Sequence, residues 1–585
     1  MSYWQLQLGM DTVSPEEVHA FLHRYAGTVV ADRLKGDWIR ELGRREQWGA
    51  LAAEHLVARD DDPEAVCLLA RARIQALGET GALEGRVAWD QAKTIPDACV
   101  PLVDMLIGSR AITTSDIWLR GRRLLRTNDV EAARQTFAWL PAREQPDFHH
   151  LALASVGPQR YLSRRKLPLA TRAERETAIF ALERLARDDA AEAGAVFDRK
   201  MQSHFSAADR DYVFSRIALH AARQHRPEAL AWFTLADPTP LTEEELAWKA
   251  RAALREERWL ELKRSIEEMP GTMRRDSGWV YWYGRALQAL GDIDAARQQF
   301  AAIADQFNFY GRLAAEELGL PLEIPPRAYA PTWDDLDAVS RDAALQRAIA
   351  LLRLDMRPDA LREWNAGVRN FDDRRLLAAA ELARRNQLWD RAINAAERTQ
   401  QIHDFGLRFM APYFETFVQQ ARRLGLDDSW VLGIARQESR FIGNIRSSAG
   451  AIGVMQLMPA TAKLVARHLG LKEPKPSEVV NVETNVLLGA SYLREMLDRL
   501  DGQPLLASAA YNAGPLRAER WRGERPLEGA IYAETIPYNE TRDYVKKVLF
   551  NAVCYAAVLG REPVQLKALL NVVQPRGATL ADNRR

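Results

Sequence analysis

Apolar residues recur at helical spacing from the N-terminus to about residue 320, and strand-like alternation is almost absent. The pattern predicts helix after helix, joined by short Asp/Gly/Pro connections. One stretch returns in another. The run Gly121–Ala138 reappears as Gly284–Ala301, with Gly121/Gly284, Leu124/Leu287, Asp129/Asp292, Ala132/Ala295, Ala133/Ala296, Arg134/Arg297 and Phe137/Phe300 identical without a gap. Such a unit reads as a helical hairpin. Asn128 or Gly291 ends the first helix, Asp129 or Asp292 caps the second, and the Ala-Ala pair lets the two approach closely. Looser copies lie around Ala247–Arg251 and Gln387–Ala392. Stacked hairpins make a solenoid, so residues 1–335 are expected to form an α-superhelical region that curves into an arc or ring. Its role is open between a partner-binding surface and an architectural arm. Pro321, Pro325, Pro326 and Pro331 forbid one continuous helix there. Helical patterning then resumes, giving a helical linker domain over 336–405 and a last region over 406–585. The polar tail from Gln574 to Arg585 is expected to fray.

Composition narrows the class. The chain has 585 residues, 47% hydrophobic and 27% charged, which suits a folded, predominantly all-α protein. With 80 Lys+Arg against 79 Asp+Glu, the net charge of +1 argues against a general nucleic-acid binder. No stretch approaches the run of about 18 apolar residues that a membrane span needs. The first residues, Met1-Ser2-Tyr3-Trp4-Gln5, carry no basic segment, long apolar run or cleavage site, so this stretch is not expected to be a signal peptide. That leaves a cytoplasmic protein, or an exported one whose leader is absent from this sequence. Three cysteines exclude a disulfide-stapled scaffold; Cys67, Cys99 and Cys554 are open between three buried thiols and one Cys67–Cys99 bridge.

The last region differs in kind. Asp427-Asp428-Ser429 offers an N-cap to a helix on which Trp430, Ile434, Glu438 and Phe441 share one face. A carboxyl among apolar neighbours loses hydration, and its pKa rises toward the range of a general acid. The alternative is a glutamate that reaches past the helix edge into solvent. Next comes Ser447-Ser448-Ala449-Gly450-Ala451-Ile452-Gly453-Val454-Met455-Gln456-Leu457-Met458-Pro459, where Gly450 and Gly453 permit turns and close backbone approach to a ligand. A small β element is expected near Ser447–Gln456. Ala510-Tyr511-Asn512-Ala513-Gly514-Pro515 ends a helix, and Glu534-Thr535-Ile536-Pro537-Tyr538-Asn539-Glu540-Thr541-Arg542-Asp543-Tyr544-Val545 follows. Tyr, Gln, Asn and Glu at such edges suit a sugar site, where hydroxyls need hydrogen bonds and pyranose faces need flat rings.

In this order, Glu438-Ser439, Gly453-Val454-Met455-Gln456, Ala510-Tyr511-Asn512-Ala513-Gly514 and Glu540-Thr541-Arg542 with Tyr544-Val545 resemble the large, doughnut-shaped soluble lytic transglycosylases. Their catalytic domain is a relative of goose-type lysozyme. The likeness is specific over about residues 406–560; the usual Gly-Leu-Met-Gln reads Gly-Val-Met-Gln here. It implies that Glu438 is the sole catalytic acid/base and that Ser447, Gln456, Met458, Tyr511, Asn512 and Glu540 line a saccharide groove. It further implies a bacterial, periplasmic monomer acting on peptidoglycan glycan strands beside other cell-wall enzymes. No metal or cofactor is expected. In that compartment a Cys67–Cys99 disulfide is expected as well.

Residue types bear on mechanism too. Ordinary glycosidases set two carboxyls across the scissile bond. Asp427 and Asp428 lie roughly 15 Å from Glu438 along the helix, and only Glu534, Glu540 and Asp543 remain to approach from afar. A lone acid suits cleavage in which the substrate's own hydroxyl is the nucleophile. The competing readings are a hydrolysing muramidase using the same Glu438, a scaffold that only holds glycan, and a cytoplasmic helical-repeat adaptor.

Overall fold

The computed structural model describes residues 2–54, 56–58, 62–77, 79–92, 94–164, 166–236, 241–325 and 329–577. Among them the regular structure is helical apart from one antiparallel pair, Leu527–Glu528 with Val572–Val573. No described helix is long and apolar enough to cross a membrane. The chain packs as two compact units, Met1–Val213 with Arg347–Ala366, and Phe214–Gln346 with Gly367–Arg585.

Each unit contains one copy of the repeated hairpin. In the first, helices Thr114–Arg126 and Val130–Phe137 are joined through Asn128 at φ 63°, and the Asp129 carboxylate accepts from Ala132 N at 3.1 Å. In the second, Ser277–Ala289 and Ile293–Ala301 are joined through Gly291 at φ 91°, with Asp292 accepting from Ala295 N at 3.3 Å. A single left-handed residue reverses the chain, and the aspartate satisfies an otherwise free helix N–H. The looser copies keep the turn without the cap. Glu257 (φ 53°) precedes Trp259–Glu267, Gln387 (φ 57°) precedes Trp389–Glu397, and neither second helix has a side-chain cap.

Glycine, more than the Ala-Ala pair, sets how closely these helices approach. A Cβ on Gly121 would lie 2.1 Å from the Phe137 ring, and one on Gly284 would lie 2.7 Å from Phe300. The repeated Gly/Phe pair is therefore one packing unit, a ring seated on bare backbone.

Cys67 and Cys99 are disulfide-bonded with Cα atoms 5.4 Å apart, whereas Cys554 is a buried free thiol. Pro321, Pro325 and Pro331 are non-helical, and the chain re-enters helix at Trp333 under a Thr332/Asp335 capping box. Pro326 and tail residues 578–585 lie outside the described residues. The β element expected near Ser447–Gln456 is reduced to isolated bridges, Arg446 with Ile452 and Ile452 with Leu457. Left-handed backbone at Gly450, Gly453 and Gln456 breaks the ladder that would have extended them.

Gly121→Ala is expected to destabilise the protein by about 1–3 kcal/mol through overpacking against Phe137. Gly108→Ala, where nothing lies within 4 Å of an added Cβ, is expected to be neutral or slightly stabilising. Urea denaturation of both variants checks the contrast.

Candidate active site

Glu438 sits in the last turn of helix Asp428–Ser439, whose first turn is capped by Asp427 accepting from Trp430 N at 2.8 Å. Trp430 and Ile434 are buried on the same face, as the spacing predicts. Phe441 lies beyond the helix end yet is fully buried, because Arg440 (φ 52°) and Phe441 (φ 66°) both take the left-handed conformation. Successive left-handed residues with side chains are costly and persist only where packing enforces them. Here the Phe441 ring packs edge-on against Phe417 at 5.9 Å. The chain thus turns away sharply just past Glu438.

The Glu438 helix lies directly against helix Asn539–Val558. A Cβ on Gly433 would come within 2.9 Å of the Val548 carbonyl oxygen. From the second helix, the Tyr544 hydroxyl donates to Glu438 Oε1 at 2.6 Å. Three effects act on this carboxyl. Burial dominates and raises its pKa, the Tyr544 hydrogen bond lowers it, and the charge of Glu540 raises it again. The result is a shift from 4.5 to about 8. Glu438 therefore carries its proton at neutral pH. With Tyr544 donating to one oxygen, the proton is left for the other.

A second wall is the turn over Ser447–Met458. Asn485 is wholly buried and braces it from below: its Oδ1 accepts from Met455 N at 2.8 Å, and its Nδ2 donates to the Ile452 carbonyl at 2.9 Å. Gly453 (φ 81°) is the point of closest approach, since a Cβ there would lie 2.3 Å from Asn485 Nδ2. Ser439, beside Glu438, donates to the Val454 carbonyl at 2.7 Å, and Tyr511 donates to the Met455 carbonyl at 2.9 Å. The turn is pinned to the Glu438 helix and to helix Pro504–Ala513 at once.

Of the residues singled out in the sequence, Tyr511 and Glu540 are near enough to Glu438 for their electrostatics to couple with it. Ser447 and Gln456 hydrogen-bond within the turn, Ser447 Oγ accepting from Ala451 N and the Gln456 amide donating to the Gly453 carbonyl. Met458 is exposed at the turn's end, and Asn512 accepts from the Thr541 hydroxyl at 2.7 Å. Tyr544 lies within one of the sequence motifs, which assigns it no role. Its signal was its place one helical turn after Glu540. Asn485 carried no signal, being one polar residue inside a helical pattern.

The other acids singled out in the sequence are occupied or exposed. Asp428 pairs with Arg561 at 2.6 Å, Glu534 is buried among cations, and Asp543 is exposed beside Lys546. Glu540 lies exposed on the first turn of its helix.

Family models match three stretches of the chain: the transglycosylase SLT domain over 415–531, the soluble lytic transglycosylase helical domain over 535–563, and the soluble lytic murein transglycosylase L domain over 338–404. The soluble lytic murein transglycosylase of Escherichia coli K12 is 24% identical over 558 residues, covering 92% of this chain and 84% of its own. That of Salmonella typhimurium is 26% identical over 547 residues, covering 91% and 83%. The crystal structure of an inactive glutamate-to-glutamine mutant of the Pseudomonas aeruginosa lytic transglycosylase Slt superposes with a TM-score of 0.83 at 29% identity, over 97% of this chain and 92% of that one. By these matches the chain is similar, over most of its length, to the soluble lytic transglycosylases. The 70-kDa Escherichia coli enzyme shares the fold, with a TM-score of 0.72 at 23% identity over 96% of this chain and 92% of that one.

The raised pKa of Glu438 has a consequence for stability. The folded state holds the proton up to about pH 8 and the unfolded chain releases it near 4.5. The associated stability is complete below the lower value and is lost as pH rises through the higher. Glu438→Gln has no such titration. Thermal melts are expected to show it gaining on the wild type as pH is raised from about 5 to 8 and levelling off above, because between the two values the unfolded chain has released the proton that the folded chain still holds. Parallel melting curves across that range would contradict the assignment.

Proposed function

We propose that this protein cleaves the β-1,4 bond between N-acetylmuramic acid and N-acetylglucosamine in peptidoglycan by lytic transglycosylation, with Glu438 as the one acid/base. The observation that carries the reading is a glutamic acid kept protonated by burial and held by Tyr544, while the other nearby acids cap helices, pair with cations or lie exposed. Glu438 donates its proton to the glycosidic oxygen leaving muramic acid C1. Charge builds on C1 as the bond breaks, and the C6 hydroxyl of the same sugar closes on C1. The carboxylate then takes the hydroxyl proton, restoring Glu438 and leaving a 1,6-anhydromuramoyl end. Atoms balance without water, so a second carboxylate has no task.

On this reading the Ser447–Met458 turn, Tyr511, Asn512 and Glu540 form the groove that holds the saccharides. Residues 406–585 form the lysozyme-like catalytic domain, 336–405 the linker and 1–335 the superhelical region. Peptidoglycan lies outside the cytoplasmic membrane, and the Cys67–Cys99 bridge suits an oxidising compartment, which supports a periplasmic location.

Murein digestion with mass analysis of the products tests the reading. Wild-type protein is expected to give 1,6-anhydromuramoyl ends. Glu438→Gln is expected to lose nearly all cleavage while still binding glycan, since general acid–base assistance alone is worth about 10²–10⁴ in rate. Hydrated reducing ends from the wild type would favour the muramidase. Tyr511→Ala and Gln456→Ala are each expected to weaken substrate handling by about 1–3 kcal/mol with the fold retained. Wild-type cleavage by both would place the groove elsewhere.

A further inference from the structure

The Tyr544 helix is gripped from the face opposite Glu438 by the helical hairpins. Residues two apart on a helix point about 200° apart. Tyr544 therefore faces Glu438 while Lys546 faces the other way, where its ammonium meets Glu534 Oε2 at 3.0 Å and the Tyr310 ring at 5.1 Å. Glu534 ends the preceding short helix, Gly529–Glu534, and is 3% exposed. Arg251, on helix Glu243–Arg255, reaches Glu534 Oε1 with Nη2 at 2.8 Å and Nε at 2.9 Å. The Tyr310 hydroxyl, on helix Phe309–Glu317, donates to Glu534 Oε2. Burial alone would raise the Glu534 pKa, but Lys546, Arg251 and Arg542 hold the group well below the carboxylate range. It is ionised and paired throughout the working pH.

The intervening turn is held from the same side. His225 Nε2 bonds the Thr535 carbonyl at 2.8 Å, and Arg255 donates to Thr535 Oγ1 at 3.0 Å and to the Trp521 carbonyl at 2.7 Å. Burial, and next the charge of Arg255, lowers the His225 pKa to about 3, so its ring is neutral and Nε2 donates as N–H. The hairpins thus meet the segment before the turn, the turn itself and the helix after it. Glu540 and Tyr544, the groups on this helix that act on Glu438, lie between Glu534 and Lys546 in the chain.

We infer that Arg251 is a positioning residue for the reaction: its ion pair with Glu534, itself bonded to Lys546, fixes the rotation of the Tyr544 helix and so the placement of Tyr544 and Glu540 against Glu438. The helical hairpins at 214–346 are then part of the catalytic apparatus as well as a support for it. This rests on the reading of Glu438 as the acid.

The test is the rate of murein cleavage by the full-length protein as a function of pH, for wild type, Arg251→Met, Arg251→Lys and Tyr310→Phe. Tyr310→Phe keeps the ring and removes one hydroxyl, so it remains informative if Arg251→Met does not fold. For Arg251→Met the maximal rate is expected to fall about tenfold or more, with partial recovery in Arg251→Lys and a smaller fall in Tyr310→Phe. The alkaline limb of the profile is expected to move upward, because the hydrogen bond from Tyr544 is what holds the Glu438 pKa down. Wild-type rates in folded variants overturn the inference, and so does a reduced rate with an unmoved or lowered limb. A wild type that releases no anhydro ends would instead overturn the functional reading on which it rests.

Discussion

The hydrogen bond from Tyr544 to Glu438 joins two helices so close that Gly433 has no room for a side chain beside Val548. That proximity strips water from the carboxyl, and desolvation outweighs the charge-favouring effect of the tyrosine. The two influences have different uses. Burial keeps the proton on; the hydrogen bond fixes which oxygen carries it. A glutamate at the same place on a looser helix pair would be an ordinary ionised side chain, unable to begin the reaction.

The rest of the site keeps that carboxyl usable. The left-handed residues Arg440 and Phe441 carry the chain off the helix end, and buried Phe441 enforces the bend. Across from it, Asn485 fixes the backbone of the turn, so Gln456 and Met458 stand on a rigid support. Placement of this kind lowers a barrier because the orienting cost is met during folding and not during reaction.

Much of this was legible in the chain. The repeated hairpin announced itself because Asp129 and Asp292 cap helices by a local bond, and local bonds need only local sequence. Glu438 was legible for a similar reason, since helical period placed it among Trp430 and Ile434. What escaped depends on contacts between distant segments. Tyr544 meets Glu438 across 106 residues, Asn485 meets Met455 across 30, and Arg251 meets Glu534 across 283. Nothing in a helical pattern says which face another helix will cover. The pair Leu527–Glu528 and Val572–Val573 was hidden in the same way, because two-residue strands have too little period to register. The close helix approach was half visible: the repeated Gly121/Gly284 and Phe137/Phe300 were seen as identities, and only the structure shows each ring resting on its glycine.

Infrared difference spectroscopy of the wild type against Glu438→Gln, followed through pH, measures the central quantity directly. A protonated-carboxyl band belonging to Glu438 that disappears with a midpoint near 8 is the result the account requires. A band already gone near 4.5, the value of an ordinary glutamate, would mean that burial does not hold the proton and that Glu438 cannot serve as the acid.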